Sequence, residues 1–198
     1  MSQEIWEPLK NYHIEIDCTP LKKLECRYVT VREAISDLPR LQLKEHEEYM
    51  AYPRRKFLHE YAKKRRKDST GVYNHIAGDH NERDLRIFRM LKPGQNIKHL
   101  NGNFNPYRKD IFKDRYRKQP WNRPASTIVA HLAKDGLMFI HPDKSQNRTV
   151  SPREAARLQS FDDRYIFEGP PKKQFIQIGN AVPPLFAKSL ALILKKFL

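Results

Sequence analysis

The alternation of apolar and polar positions predicts short secondary-structure elements separated by charged or irregular segments. Near the start of the chain, alternation over residues 12–16 predicts one short strand. Thr30 and Glu33 then have the spacing of a capping box, in which the threonine covers free amides and the glutamate reaches back. The helix that they open is expected to end before Pro39, because the residue before a proline disfavours helical backbone. Residues 40–70 are highly charged and are expected to be helical in pieces.

A longer amphipathic helix is predicted over residues 82–91. Asn81 can cap its first turn, and the dipeptide that starts at Pro93 is Pro-Gly, which stops it. The apolar positions recur at the spacing of one helical face, at Leu85, Phe88 and Leu91. This period predicts a helix that packs one face against a core.

The run from His131 to His141 predicts a β-hairpin. Two apolar stretches flank Asp135 and Gly136, and glycine accepts the positive φ that a tight hairpin turn requires. Asp135 and His141 could also be taken for an acid–base pair, but the sequence supplies no nucleophile beside them. We therefore interpret this run as structural, the completion of a small antiparallel domain.

A helix with a clear start is predicted after residue 150. Ser151 has the capping position, Pro152 takes the first helical position and Glu154 completes the capping box. Arg153 and Arg157 lie one turn apart on this helix. They can face phosphate, or they can hold neighbouring carbonyls and carboxylates, and the sequence leaves both possibilities open.

The last predicted helix is apolar around much of its circumference. Pro183 and Pro184 open it at a position where proline costs nothing. Such a helix needs cover on more than one side. The large apolar side chains that require this cover are Leu185, Phe186, Leu190, Ile193, Leu194 and Phe197.

A large excess of positive charge narrows the class of partner. The 198 residues include 38 lysines and arginines against 23 acidic residues, for a formal net charge of +15. Such an excess is typical of polyanion binders, which neutralise phosphates and release counterions. The densest basic runs lie within residues 54–67, and residues 107–123 interleave cations with aromatic rings. Both stretches are expected to contact DNA, with a solvated basic surface as the simpler alternative.

Other classes of protein are disfavoured. No apolar run approaches the roughly 20 residues of a membrane span, and Met1 is followed by no signal-peptide pattern. Two cysteines form no disulfide framework, and His75 and His80 lack the spacing of metal ligands. We therefore expect a cytoplasmic protein with no metal and no membrane partner.

Two segments near the end carry the most specific signal. Residues 151–161 read Ser-Pro-Arg-Glu-Ala-Ala-Arg-Leu-Gln-Ser-Phe, and residues 177–184 read Gln-Ile-Gly-Asn-Ala-Val-Pro-Pro. In this order and separation they resemble the last two signature motifs of the DNA cytosine-5 methyltransferases. Residues 30–39 are similar to the segment that follows the catalytic domain in this family. Residues 73–81 are similar to the segment that opens the target-recognition region in some bacterial members.

The resemblance implies methyl transfer, but the catalytic groups of the family are absent from this sequence. In the family, the thiolate of a Pro-Cys pair attacks cytosine C6 and S-adenosylmethionine gives a methyl group to C5. Here Cys18 follows Asp17, Cys26 follows Glu25, and no Gly-x-Gly cofactor loop occurs. We therefore expect no catalytic residue in this chain. The resemblance implies that S-adenosylmethionine is shared with a partner chain that carries the Phe-x-Gly-x-Gly and Pro-Cys motifs.

The resemblance also assigns DNA-binding residues. Thr127 and Ile128 occupy the Thr-Ile dipeptide of the target-recognition core, with Ser126 beside them. In the family this threonine packs against the DNA backbone next to the cytosine, which must leave the duplex before it can react. Arg117 lies at the distance of a sequence-reading arginine, and Arg115 lies close by.

The chain is therefore expected to be α+β, with a small, mostly antiparallel target-recognition domain over residues 41–165. A lead-in over residues 1–40 precedes it. The segment of residues 166–198, with the last motif and the terminal helix, would pack on the catalytic domain and complete an α/β S-adenosylmethionine-dependent methyltransferase domain. By resemblance, Asn180 and Ala181 in this last segment line the S-adenosylmethionine pocket from one side.

The function implied is the recognition part of a bacterial enzyme that methylates cytosine in duplex DNA together with a separate catalytic chain. A stand-alone DNA-binding protein and an inactive truncated remnant are the alternatives. The apolar final helix argues against a solitary DNA binder, because an exposed apolar surface promotes aggregation.

Overall fold

The computed structural model describes residues 28–43, 47–100, 115–134 and 136–195. The predicted strand over residues 12–16, both cysteines, Asp135 and Phe197 lie outside this part of the chain. Within it, helices alternate with irregular segments and one small sheet. The elements are α1 Val31–Ile35, β1 Tyr49–Ala51, α2 Glu60–Arg65, β2 Gly71–Tyr73, α3 Glu82–Met90, α4 Pro152–Leu158, α5 Pro171–Asn180 and α6 Pro184–Leu194.

The predicted helix starts are confirmed. At the start of α1, the Thr30 hydroxyl accepts from the Glu33 amide, and the Glu33 carboxylate accepts from the Thr30 amide at 2.9 Å. At the start of α4, Ser151 and Glu154 form the same pair of hydrogen bonds, at 3.1 and 2.8 Å. Asn81 caps α3 through its side chain. These caps satisfy amides that the first helical turn leaves without a partner.

The sheet is antiparallel and has two strands of three residues each in the described part of the chain. Met50 pairs with Val72, and Gly71 lies at the end of the ladder opposite Ala51. A Cβ added at Gly71 would overlap the Met50 carbonyl oxygen, so the strands approach closely because this position is glycine. The α+β character is confirmed, although the antiparallel part is smaller than the sequence indicated.

The hairpin predicted between His131 and His141 is wrong. The backbone instead forms two 3₁₀ turns, Ala130–Ala133 and Gly136–Met138. Ile140 follows these turns and makes isolated bridges to strand-like residues on either side. Short apolar runs do not distinguish strands from other buried segments, and here the buried side chains come from turns.

The physical reason for this difference lies in α5. Gly179 packs so closely on the first 3₁₀ turn that an added Cβ would overlap the backbone of Val129 and Ala130. Leu132 and Phe139 are then buried in the same core cluster as Ile178 of α5. Packing against a helix, and not strand pairing, therefore fixes this segment.

Three apolar clusters form the core. One joins α4 and α5 to the 3₁₀ turns, a second surrounds α3, and a third lies between α1 and the sheet. The predicted face of α3 is confirmed, since all three of its periodic apolar residues are buried. The largest fully buried apolar side chains include Tyr116, Phe88, Phe139, Leu41, Ile87, Leu91, Ile140 and Ile178.

The helix α4 buries charge as well as apolar surface. Its Arg157 is 0% exposed and donates two hydrogen bonds to the Asp163 carboxylate at 2.5 Å. The same guanidinium donates to Asp37 at 3.0 and 3.1 Å and to the carbonyl of Ala34 in α1. Arg153, also 0% exposed, donates to backbone carbonyls, among them that of Tyr73. These arginines thus hold carbonyls and carboxylates, which settles the alternative that the sequence left open.

A second buried ion pair supports the start of α4. Arg148 donates to both oxygens of Glu154 at 2.7 Å, and His141 lies 3.4 Å from the same carboxylate. Burial lowers the pKa of His141 to about 4. Burial would raise the pKa of Glu154, but the neighbouring Arg148 cation outweighs it and holds this pKa well below its usual range. The imidazole is therefore neutral beside an already compensated carboxylate.

The helix α6 exposes apolar side chains, whereas α4 buries charged ones. Leu185, Phe186 and Leu190 are 40%, 63% and 47% exposed, and the apolar residues that follow them are exposed too. The range Pro171–Leu194 has the length and mean hydropathy, 1.2, of a membrane-crossing helix. It consists, however, of the two helices α5 and α6, and length and composition alone are weak support for a span.

Candidate nucleic-acid interface and cofactor wall

The backbone around Arg117 is held by the segment that follows the 3₁₀ turns. The Arg117 amide donates to the Leu137 carbonyl, and the Ile140 amide donates to the Arg117 carbonyl, both at 2.9 Å. The Gln119 side chain then links two backbone segments. Its side chain accepts from the Ser126 amide at 3.0 Å and donates to the Met138 carbonyl at 2.9 Å. The two predicted DNA-binding segments are therefore fixed to each other.

Arg117 and Ser126 share an open cleft of about 940 Å³. The Arg117 guanidinium donates to the Ser126 hydroxyl at 3.3 Å, so the structure brings these two predicted residues together. Arginine, lysine, histidine and tryptophan side chains line this cleft, and no carboxylate among the described residues does. Its lining is Arg32, Pro93, Gly94, Gln95, His99, Arg117, Lys118, Pro120, Trp121, Asn122, Arg123, Pro124, Ala125 and Ser126.

Two other basic residues of this segment are placed differently. Arg115 is half-buried and is not among the residues that line the cleft. Lys118 lines the cleft, but its ammonium group donates to the Phe88 carbonyl at 2.9 Å and the residue is 0% exposed. Burial lowers the pKa of Lys118 to about 8. Lys118 is thus a structural cation. Of the neighbouring residues Arg117 and Lys118, Arg117 is the one whose charged group faces the cleft.

Thr127 and Ile128 are not among the residues that line the cleft. They line a smaller pocket of about 260 Å³, together with Gln159 and Ser160 that follow α4. Thr127 is exposed, whereas Ile128 is 5% exposed and belongs to the central apolar cluster. The dipeptide therefore divides its roles: the isoleucine anchors the segment and the threonine is accessible.

Asn180 and Ala181 close α5, near this dipeptide, because Gly179 packs directly on Val129 and Ala130. The Asn180 side chain is exposed and has no hydrogen bond to another residue in the described ranges. The Ala181 amide donates to the Ile178 carbonyl, and its carbonyl accepts from another residue's side chain. Of the two predicted cofactor residues, Asn180 thus has the polar group that can bind a ligand.

Gln159 and Ser160 were not singled out from the sequence. The Gln159 side chain donates to the Ala181 carbonyl at 3.2 Å, and the Ser160 hydroxyl accepts from the Leu185 amide at 3.1 Å. Ser160 has φ 70°, a left-handed conformation that turns the chain sharply after α4. Both residues lie within the motif of residues 151–161, so the motif itself was the available signal. They join the end of α4 to Ala181, which follows α5, and to Leu185 in the first turn of α6.

The His-Asn cluster over residues 73–81 is structural. His75 is 0% exposed, with one ring nitrogen 2.8 Å from the Ser151 hydroxyl and the other 2.8 Å from the Pro39 carbonyl. Burial lowers its pKa, so the ring bridges these segments as a neutral group. Asn74 pairs with the backbone of Phe167 through both ends of its amide. Among the residues that the structure describes, no cluster of His, Cys, Asp or Glu could hold a metal ion.

The basic run over residues 63–67 contains both buried and exposed cations. Arg65 is 8% exposed and donates to the Ser160 carbonyl at 2.7 Å, and Arg66 lies over the Tyr52 ring at 3.6 Å. The expectation that Arg65 contacts DNA is therefore wrong, because its charge is used inside the fold. Lys63 and Lys64 remain exposed, so they can contact phosphate.

The fold resembles that of a solved structure. It is similar to the crystal structure of a protein encoded within an E. coli prophage and assigned as a DNA modification methyltransferase. The TM-score is 0.57 at 20% sequence identity, and the match covers 82% of this chain and 45% of that chain. At this identity the likeness shows the fold alone.

The family follows from the sequence. Residues 7–196 match the family described as C-5 cytosine-specific DNA methylase, and the chain belongs to this family. The type II methyltransferase M.Bpa9945I of Bacillus paralicheniformis is 39% identical over 179 residues, 84% of this chain and 40% of that protein. M.DdeI of Desulfomicrobium norvegicum is 38% identical over 192 residues, 87% of this chain and 44% of that protein. The chain thus spans less than half the length of these relatives.

The family assignment confirms the resemblance on which the sequence interpretation rested. The C-5 cytosine DNA methyltransferases use S-adenosylmethionine and act on duplex DNA. Which part of this activity the present chain performs is a separate question.

Proposed function

We propose that this chain supplies the target-recognition part and the closing segment of a DNA cytosine-5 methyltransferase. The complete enzyme transfers a methyl group from S-adenosylmethionine to C5 of cytosine in duplex DNA. The observation that carries the proposal is α6, which directly follows the motif of residues 177–184 and exposes an apolar surface. Burying one large apolar side chain contributes about 1.5–3 kcal/mol, so this surface favours a bound partner.

We propose that the partner is a separate chain that carries the Phe-x-Gly-x-Gly and Pro-Cys motifs. These motifs occur nowhere in the 198 residues, while the family to which the chain belongs needs them for cofactor binding and nucleophilic attack. The matched relatives extend over more than twice the region that this chain covers. A catalytic chain of this kind would both supply the missing chemistry and cover α6.

The residues of this chain fit one wall of a cofactor pocket. S-adenosylmethionine, when bound, supplies the methyl group. Asn180 has an exposed amide with both donor and acceptor capacity, and the small Ala181 beside it leaves space. Gln159 fixes the Ala181 carbonyl, so this wall is formed before a ligand arrives. The other walls belong to the catalytic chain.

The DNA-binding role falls to two neighbouring groups. Arg117 faces the open cleft, and an arginine fork suits bidentate contact with guanine in the major groove. Thr127, exposed beside Ile128, is the group proposed to pack on the DNA backbone next to the extruded cytosine. The fold holds both through Ser126, which contacts Arg117 and adjoins Thr127 in the sequence.

The test is reconstitution with the protein encoded by the neighbouring reading frame that carries the two missing motifs. Transfer of a tritiated methyl group from S-adenosylmethionine into duplex DNA is measured for each chain and for the mixture. We expect transfer by the mixture and none by this chain alone. Transfer by this chain alone, or a mixture that forms no complex, would contradict the proposal.

A variant separates the cofactor role from assembly. Asn180→Ala is expected to leave the complex intact and to weaken S-adenosylmethionine binding, measured by calorimetric titration of the complex. Gln177→Ala is a matched control, because Gln177 is an exposed amide on the same helix whose side chain donates to the Glu168 carbonyl. Equal cofactor affinity for both variants would remove Asn180 from the pocket.

A further inference from the structure

The open cleft contains two arginines that the family resemblance did not assign. Arg32 belongs to α1, in the lead-in segment, and Arg123 lies in the loop of the recognition region. Both are exposed and both line the cleft beside Arg117. The two residues are far apart in the sequence, so their meeting is visible only in the structure.

Backbone hydrogen bonds fix these two arginines relative to each other. The Val31 amide donates to the Arg123 carbonyl, and the Arg32 amide donates to the Trp121 carbonyl, both at 3.0 Å. These are first-turn amides of α1, which would otherwise lack partners. The start of α1 is therefore bound to the loop that carries Arg123.

Trp121 aims the Arg32 guanidinium. The guanidinium carbon lies 4.7 Å from the centre of the indole ring, which is the geometry of a cation–π contact. The ring is itself supported, because its edge meets His141 at 5.7 Å between centroids and an angle of 88°. The Arg32 Nε donates to the Asn122 side-chain oxygen at 3.4 Å, and the terminal nitrogens make no hydrogen bond to another described residue.

The charges of these two guanidinia are not compensated within the described part of the protein. No ion pair there joins Arg32 or Arg123 to a carboxylate, and Glu33 beside Arg32 is 3.3 Å from His59 instead. By contrast, the arginines of α4 are paired and buried. A positioned but unpaired arginine at a cleft without carboxylates attracts an anion.

We infer that Arg32 and Arg123 form a binding site for a backbone phosphate of duplex DNA, with Trp121 as the positioning residue. This inference rests on the proposed DNA-binding function and adds residues of the lead-in segment to the interface. A phosphate diester suits the site because guanidinium groups donate to its oxygens. The site fixes the register of the duplex, and it carries no sequence preference of its own.

The experiment measures affinity of the chain for a fluorescein-labelled duplex over a series of salt concentrations. Arg32→Ala and Arg123→Ala are each expected to weaken binding several-fold at low salt, equally for all duplex sequences. Each is expected to reduce the slope of log K against log salt by about 0.9, because one phosphate contact is lost. Arg32→Lys keeps the charge and is expected to keep the slope, with a smaller loss of affinity.

Two further variants make the result specific. Arg164→Ala is the matched control, because Arg164 is an exposed arginine outside the cleft whose loss is expected to leave slope and affinity unchanged. Trp121→Phe keeps a ring of smaller area and is expected to weaken binding less than Arg32→Ala. Circular dichroism of each variant reports whether the fold is kept.

The outcomes distinguish the site from the proposed function. If the parent chain binds duplex DNA and Arg32→Ala and Arg123→Ala behave like Arg164→Ala, the phosphate site is overturned and the DNA-binding function stands. If the parent binds no DNA, both fail. If the two variants change the binding of inorganic phosphate, measured by calorimetry, but not the salt slope with DNA, the site holds a free anion and the DNA assignment is overturned.

Discussion

The helices α4 and α6 invert the usual distribution of polarity, each in its own way. The interior around α4 contains three arginines that are 0% exposed, Arg148, Arg153 and Arg157, and each of them has hydrogen-bond partners. The surface of α6 exposes leucine, isoleucine and phenylalanine without cover. Buried charge is costly unless it is paired, and exposed apolar surface is a liability unless it binds a partner. Within the described residues, the charges of the first helix have partners, whereas the apolar side chains of the second are exposed.

The largest effect on stability is expected when one buried cation of α4 is removed. Arg157→Met leaves the carboxylates of Asp37 and Asp163 buried with fewer partners, so it is expected to lower the free energy of unfolding by about 3–5 kcal/mol. Urea unfolding followed by circular dichroism measures this. Arg164→Ala removes an exposed arginine and is expected to change stability by less than about 0.5 kcal/mol. Similar losses for the two variants would show that the buried network is not specific.

The complementary change is made on α6. Leu190→Asp is expected to leave the stability of the isolated chain nearly unchanged, because the residue is 47% exposed there. Association with the catalytic chain should weaken by about 3 kcal/mol through lost burial and a desolvated charge. The measurement is co-purification followed by titration of the two chains. Lys188→Asp, which places the same carboxylate at a position that is already polar, serves as control. Normal assembly and methylation by Leu190→Asp would remove α6 as the docking element.

A third change tests the packing of α5, which lies between these two helices in the chain, on the first 3₁₀ turn. Gly179→Ala is normally favourable within a helix, but here its Cβ would overlap the backbone of Val129 and Ala130. We expect a loss of about 1–3 kcal/mol in unfolding free energy, as for other overpacked sites. Ile176→Ala, which shortens a partly exposed side chain on the same helix, gives the comparison. An unfolding midpoint for Gly179→Ala at or above that of the parent would disprove the close packing.

The last prediction concerns pH. The folded-state pKa of His141 is lowered to about 4, against an ordinary value of 6.5, so the unfolded chain binds more protons between these values. Stability is therefore expected to fall as the pH falls from 6.5 to 4, by up to about 1.4 kcal/mol per pH unit for this group. His141→Asn removes the titration and should flatten this part of the stability profile. An unchanged profile in the variant would assign the acid sensitivity to another group, such as His75.

Local signals in the sequence predicted local structure well. The capping boxes at Thr30 and Ser151 and the cap at Asn81 depend on residues three apart, and all three form. The start of the last helix at Pro184 is likewise set by its own dipeptide. These features need no knowledge of the tertiary fold, which is why the sequence alone sufficed.

Long-range contacts account for what the sequence could not show. The apolar run after His131 has the pattern of a hairpin, but its conformation depends on packing against Gly179, a residue of α5. Arg65 looked like a phosphate ligand until its carbonyl partner at Ser160 was placed beside it. The cleft arginine Arg32 escaped notice for the same reason, since Trp121 is distant in the sequence. Charge patterns alone do not tell a surface cation from a structural one.

The position of Val29 and Ala181 has a mechanical consequence. Val29 and Gln159 line the same small pocket, and Gln159 is bound to the Ala181 carbonyl at 3.2 Å. The segment that leads into α1 and the segment that leaves α5 therefore emerge side by side from one body. The Gln159 side chain thus couples the two segments, because a shift of Ala181 moves a residue that lines the same pocket as Val29.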